Sequence, residues 1–287
     1  MTVINLQSPI SKSQSASPMS TTLSRTQLTS FLACQRQFHL RFQQRLPWPQ
    51  QPLEEKVEAN LSLGETFHQL LERHFLGLDV AAEAMTNPRL RSWWLAFRQF
   101  EPTLPNGRFL PELTLTTPLL HTDKGSYLLN GRFDLLIVSE SSQSTPFAHL
   151  FDWKTGRPRP ENSLRHDWQT RLYLAMLAES SRAILDTAAP LAPDHIAITY
   201  WYVSEPDAPR TLRYTTAQHT QNWADLQAIA AQMDAASNWP RTDDLALCLH
   251  CPYQAYCGRQ TAVSPPPEPP EEEDYFPEWL PLEPIAP

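Results

Sequence analysis

The chain has 287 residues and a formal net charge of −8, from 23 Lys and Arg against 31 Asp and Glu. Seven of those acids lie in residues 262–287, which hold nine prolines and no Lys or Arg, so residues 1–261 balance 23 bases against 24 acids. A near-neutral body neither demands nor excludes a nucleic-acid partner. No run of 18 apolar residues offers a membrane span, and the first residues lack the basic-then-apolar layout of a secretory signal. A cytoplasmic protein without a membrane partner is the expectation, and its four cysteines then read as metal ligands or free thiols rather than disulfides.

Residues 1–23 are rich in Ser, Thr and Gln, and residues 262–287 in Pro and acids. Neither segment can bury enough apolar surface to offset its ordering entropy, so both are expected to be disordered around one domain over 24–261. Ser24-Arg25-Thr26-Gln27 is a capping-box pattern, and Leu28, Phe31, Leu32, Phe38 and Phe42 follow at helical spacing, which predicts a helix over 25–44. Leu61, Phe67, Leu70, Leu71 and Phe75 predict a second helix over 54–76. Asn87-Pro88 reads as an N-cap with proline at the first helical position, opening a third helix that runs to Phe100. The period then changes to two, which predicts strands over 110–120, 127–138 and 147–153. A helix over 163–180, strands over 195–203 and 211–214, a helix over 216–236 and a cysteine-bearing piece over 240–260 complete the domain. This order predicts an α/β or α+β layered fold.

The segment "HLFDWKTGRP", 149–158, ends a strand with an acid and a base two residues apart, and lysine is scarce: Lys12, Lys56, Lys124 and Lys154 stand against nineteen arginines. The polar "SSQSTP" before that strand predicts a hairpin in which paired residue numbers sum to 286 or 287, setting Asp134 opposite Asp152 or Trp153. Alternation then puts Asp152 and Lys154 on one face, with Asp134 joining them in the first of those registers. Adjacent carboxylates repel, and a divalent cation removes that cost; oxygen ligands suit Mg²⁺ or Mn²⁺. Lys154 beside such an ion would hold an attacking water or neutralise charge growing on a phosphate. Taken singly, Asp-x-Lys is a surface charge pair, His68 a polar helix residue, and Gln169 with Tyr173 an amphipathic face four residues apart. The arginines of 36–45 and of 157–171 read equally as a local basic path or as solvated faces.

In order and spacing these pieces resemble the PD-(D/E)XK nuclease superfamily, and within it the RecB-like branch that includes CRISPR-associated RecB-like exonucleases. "GETFHQLLE" (64–72) is similar to the family's first motif with a metal-binding His68, "GRFDLL" (131–136) to the motif of the first acid, Asp134, "DWKTG" (152–156) to the Asp-x-Lys motif, and "QTRLY" (169–173) to Gln-x-x-x-Tyr. The resemblance covers most of 24–258 and implies a restriction-endonuclease-like core, a central mixed sheet flanked by helices. It implies that His68, Asp134, Asp152 and the backbone carbonyl of Trp153 coordinate one or two Mg²⁺ or Mn²⁺ ions. Lys154 would orient or activate water, and Gln169 and Tyr173 would position the metal shell or DNA. Glu112 in "FLPELTL" would line the site or be a strand-edge charge.

The implied activity is a divalent-metal-dependent DNA nuclease, an exonuclease on single strands or ends, in repair, recombination or CRISPR adaptation. A helicase or a CRISPR or repair protein would be its partner. The alternative is a non-catalytic nucleic-acid-binding or scaffold subunit on the same fold. No Walker motif occurs and only seven glycines exist, which excludes a self-powered helicase-nuclease.

Cys248, Cys251 and Cys257 form C-x2-C-x5-C, and Cys34 lies 214 residues before Cys248. A zinc ribbon supplies two close pairs. The one-plus-three split resembles instead the [4Fe–4S] arrangement of iron–sulfur members of the same branch, and "SFLACQRQFHLRF" resembles their Cys-Pro-x-x-Phe segment, with Gln35 in place of proline. Zinc in the same ligands, or four unliganded thiols, are the other readings. Such a cluster would clasp the first helix to the C-terminal segment and couple binding to folding.

Overall fold

Burial along the central strands decides which helix packs where. The computed structural model describes residues 19–47, 55–122, 125–139, 146–185, 189–249 and 251–259. Among them β1 (Met19–Leu23), β2 (Arg108–Thr122), β3 (Gly125–Val138), β4 (Ala148–Lys154), β5 (Ile196–Tyr202) and β6 (Arg210–Arg213) form one mixed sheet. The helices are α1 (Arg25–Ala33), α2 (Gln35–Phe38), α3 (Glu55–Phe75), α4 (Ala81–Ala84), α5 (Pro88–Phe100), α6 (Glu161–His166), α7 (Trp168–Leu185), α8 (Thr216–Ala235) and α9 (Gln254–Cys257). This is the helix-flanked α/β core expected, and no described helix is long and apolar enough to cross a membrane.

β3 is the hub. One of its edges is covered by antiparallel β2. The other is shared: parallel β1 takes its first part, from Met19↔Gly125 to Leu23↔Leu129, and antiparallel β4 takes its end, from Leu135↔Phe151 to Val138↔Ala148. The β3–β4 pairs sum to 286, one of the two registers expected. β4 also runs parallel to β5 from Ala148↔Ile196 to Lys154↔Tyr202, and β6 closes antiparallel on β5.

Each sheet face has its own core. Leu136, Val138, Ala148 and Leu150 meet α1, α7 and α8 through Phe31, Leu172, Met176, Leu226 and Met233. Leu135, Ile137, Phe151, Trp153 and Trp201 meet α3 through Phe67, Leu70 and Leu71, and α5 through Leu90, Trp93, Trp94 and Phe97. Those helix positions repeat at the three- and four-residue spacing of one helical face. Trp153 lies edge-on to Phe97 at 5.6 Å and to Trp201 at 6.1 Å, so this side of the sheet is a rigid aromatic layer.

Both sequence-read caps exist: Ser24 and Gln27 form the capping box of α1, and Asn87 accepts from the N–H groups of Arg89 and Leu90. Three expectations change. Residues 19–23 were expected to be disordered and are β1; the open edge of β3 supplies backbone partners, and Leu23 is fully buried. Residues 1–18 and 262–287, expected to be disordered for the same compositional reasons, lie outside the described residues, as do 260–261 of the expected domain and 140–145 of the hairpin loop. The helix expected over 25–44 breaks at Cys34, whose φ of −159° and ψ of 108° are extended; α2 and a π-helical turn over His39–Gln43 follow. The helix expected over 163–180 divides into α6 and α7 at Asp167, also extended at φ −65° and ψ 138°.

His149 on β4 generates a pH prediction. Its ring stacks on Phe151 at 4.4 Å, and its Nε2 lies 2.7 Å from Thr199 Oγ1. Burial, and then the charge of Arg213, push its pKa down to about 4. Between the ordinary histidine value near 6.5 and that folded value, the unfolded chain binds a proton that the folded chain refuses, so stability falls as pH drops through this window. His149→Gln should therefore retain on the order of 2–3 kcal/mol that the parent loses between about pH 7 and pH 4. Denaturant titrations of both proteins at the two pH values check this; equal pH slopes would refute it.

Candidate active site

The β3–β4 ladder stops at Leu135↔Phe151, just short of Asp134 and Asp152, while β4 continues beside β5. On the same edge of β3, pairing with β1 ends at Leu129. The sheet therefore opens between Leu129 and Leu135, and side chains from β2, β3, β4, α3 and α7 gather around the opening. The Trp153 N–H donates to Asp134 Oδ2 at 2.8 Å, so the carboxylate takes up a ladder group that the parting strands release.

His68 reaches the opening from α3, with Nδ1 3.4 Å from the same Asp134 oxygen. Gly64, one turn earlier, permits this approach: a Cβ there would stand 2.9 Å from Thr155 Oγ1, just past β4. Glu112 enters from β2. The register runs from Pro111↔Leu135 to Leu113↔Phe133, so Glu112 faces Asp134 across the pair. Its φ of 47° is left-handed, a conformation that costs a side-chain-bearing residue about 1–3 kcal/mol. Arg132 Nε lies 3.0 Å from Glu112 Oε2. One ligand atom from each of His68, Glu112 and Asp134 lies within 4.8 Å of the others.

Asp152 and Lys154 share the α7 side of β4, as alternation requires. Lys154 Nζ lies 3.0 Å from Asp152 Oδ1, and Gln169 Nε2 donates to Asp152 Oδ2 at 2.7 Å. Gln169 Oε1 lies 3.5 Å from Lys154 Nζ, so one amide spans the acid and the base. The ammonium also stands 5.7 Å above the Tyr200 ring.

A family model of the PD-(D/E)XK nuclease superfamily matches residues 22–258. The chain belongs to the PD-(D/E)XK nuclease superfamily. Among solved structures, that of SSO0001 aligns with 84% of this chain and 87% of its own, at 14% identity and a TM-score of 0.35. No curated protein matches the chain.

PD-(D/E)XK enzymes use divalent metals, and the donor set here fits one. Burial raises the pKa of Glu112, and Asp134 adds to it against Arg132, carrying it to about 7. Burial also raises Asp152, with Lys154 opposing and Asp134 adding. Asp134 goes the other way: burial pushes it up, but the charge of His68, the Trp153 N–H and Lys154 together hold it below the ordinary range. Burial alone would lower His68 and Lys154, yet the neighbouring carboxylates raise both. Three carboxylates thus crowd a buried site, and hard oxygens with one imidazole match Mg²⁺ or Mn²⁺.

The remaining expected residues fall as follows. Trp153 presents its backbone to the opening and its indole to the aromatic layer behind. Tyr173 is buried, edge-on to Phe133 at 4.8 Å; a Cβ on Gly131 would stand 2.9 Å from its ring, so this tyrosine packs on β3. Of the arginines, Arg171 stacks on Trp168 at 3.9 Å and pairs with Asp225, and Arg159 pairs with Asp167, so both serve internal contacts. The sequence reading missed Asp167. An acid just before a helical run is an N-cap signal, and reading one helix across 163–180 hid it.

At the far end of α1, Cys34, Cys248, Cys251 and Cys257 line one pocket with Gln37 and Arg259. Gln37 Nε2 lies 3.8 Å from Cys251 Sγ, and Arg259 Nη1 lies 3.2 Å from Cys248 Sγ. Burial pushes the Cys251 thiol up; the Tyr253 N–H opposes it, and the other three thiols add to it. The lone N-terminal cysteine is thus among the three C-terminal ones.

Binding of a cation by this donor set should appear as stabilisation without any substrate. In a thermal melt, millimolar Mn²⁺ should raise Tm of the parent by several degrees, and Asp134→Asn or Glu112→Gln should cut the apparent affinity about tenfold or more. In metal-free buffer near pH 8, Glu112→Gln should be neutral or stabilising, because it removes a charge that faces Asp134. An Mn²⁺ response that survives both substitutions would place the ion elsewhere.

Proposed function

We propose that this chain is a divalent-metal-dependent deoxyribonuclease that acts on single strands or free ends. The observation that carries the reading is the cluster of His68, Glu112 and Asp134 beside the Asp152–Lys154–Gln169 set where β3 and β4 part, the two joined by the Trp153 N–H on Asp134 and by the charge that Asp134 exerts on Asp152. When bound, a divalent ion supplies Lewis acidity toward water and a phosphate oxygen. His68, Asp134 and Glu112 are the residues to hold it, with Asp152 and the Trp153 carbonyl as further ligands. Lys154 acts as a cation rather than a base, since the carboxylates around it keep it protonated; it offsets charge that grows on the phosphate and orients water. Gln169 holds Asp152 and Lys154 at fixed spacing, and Tyr173 supports α7 against β3.

The finer reading is a RecB-like enzyme of repair, recombination or CRISPR adaptation, working beside a helicase or another protein of that pathway in the cytoplasm. Its four cysteines hold a [4Fe–4S] cluster as a structural clasp, and zinc is the alternative metal. Support comes from the sharing of one pocket by Cys34 with Cys248, Cys251 and Cys257.

Two measurements test these statements. Anaerobically purified protein should cleave end-labelled single- or double-stranded DNA with Mg²⁺ or Mn²⁺, and Asp152→Ala and Lys154→Ala should lower the rate by about 10²–10⁴-fold while keeping the visible absorption of the cluster. Equal rates in parent and variants would assign the cleavage to another site or a contaminant. Loss of the cysteine-bound metal, by chelation or in Cys34→Ser, should lower Tm by more than about 5 °C; an unchanged Tm would end the clasp role.

A further inference from the structure

Asp167 receives contacts from three separate parts of the chain. Its Oδ1 accepts the Gln169 N–H at 2.7 Å, its Oδ2 accepts from Arg159 Nη1 at 2.7 Å, and Arg25 Nε lies 3.5 Å from Oδ1. Its extended backbone and its carbonyl, which accepts the Arg171 N–H at 3.0 Å, make it the N-cap of α7. A cap needs one oxygen. Asp167 uses its second on Arg159, from the loop after β4, and also meets Arg25, the first residue of α1.

We propose that Asp167 is a positioning residue of the nuclease site, acting through Gln169; this rests on the function proposed above. Gln169 stands two residues past the cap, so the Asp167 bond sets where its side chain begins. That side chain spans Asp152 and Lys154. Arg159 ties the cap to the segment that leaves β4, and Arg25 ties it to the helix that ends at Cys34. A released cap frays the first turn of α7, swings the Gln169 amide away, and leaves Lys154 and Asp152 to rotate. The cysteine pocket and the hydrolytic residues are then joined mechanically through α1 and this one carboxylate.

The scarcity of lysine makes a test that needs no activity. Lys154 is one of four lysines, and its side chain is 13% exposed. Brief acetic anhydride labelling, read by mass spectrometry with the other lysines as internal references, should modify Lys154 about tenfold faster in Asp167→Ala and Gln169→Ala than in the parent. The double variant should add nothing, as expected of residues that act as one unit. Asp167→Asn keeps a cap oxygen but loses the charge that attracts Arg159 and Arg25, so it should give a smaller effect with the same coupling; it carries the test should Asp167→Ala fail to fold. Alongside, kcat for DNA cleavage should fall roughly 10- to 100-fold with KM unchanged. Unchanged Lys154 labelling, or additive effects in the double variant, would overturn the proposal. Coupled labelling in a parent that cleaves no DNA would uphold the positioning role and overturn the nuclease reading instead.

Discussion

Where β4 turns away from β3, the ladder ends one residue before it would pair two aspartates. A backbone N–H released inside a protein must find another acceptor, and at Trp153 that acceptor is the Asp134 carboxylate. This substitution of a side chain for a strand partner keeps the sheet open without leaving an unsatisfied donor. It also fixes Asp134 in the opening. His68 then has a defined oxygen to approach, and Glu112 a defined carboxylate to face. Had the ladder continued, the space that collects these groups would be filled by main chain.

Such an opening concentrates charge where water is scarce. Burial disfavours every ionised group in it, and mutual pairing offsets part of that cost. Lys154 and Asp152 stabilise one another, as do His68 and Asp134, while Glu112 is raised by burial and by the Asp134 charge despite its pairing with Arg132, and holds a left-handed backbone. A cation bound between Glu112 and Asp134 would offset the repulsion of their charges. On the opposite face, the aromatic layer of Trp153, Phe97 and Trp201 holds the strand that bears these charges. The polar side is thus placed by the apolar one.

α1 connects two regions that differ in chemistry. Its first residue contacts the cap of α7 beside the acid–base pair, and the chain leaves its last turn through the extended Cys34 into the cysteine pocket. Closing so long a loop costs entropy that grows only slowly with its length, and ligands that clasp the two ends offset that cost. A clasp at one end of a nine-residue helix would therefore restrain the geometry at its other end.

Much of this was legible from residues alone. Period-two alternation put Asp152 and Lys154 on one face, and a short polar loop narrowed the β3–β4 register to two choices, of which the structure holds one. The spacing of Phe67, Leu70 and Leu71, or of Leu90, Trp93, Trp94 and Phe97, determined two helices and their buried sides. Capping signals at Ser24 and Asn87 determined where helices begin. These are interactions within a few residues, and a sequence displays them directly. The tertiary structure decided β1, whose polar residues have no reason to be extended until β3 offers an edge. It decided the break at Cys34, beside which the Arg36 N–H donates to the distant Pro240 carbonyl, and the conformation of Glu112. It also decided which donors meet: His68 and Asp134 come from different layers, and the parting of two strands sets their distance, which no local pattern encodes.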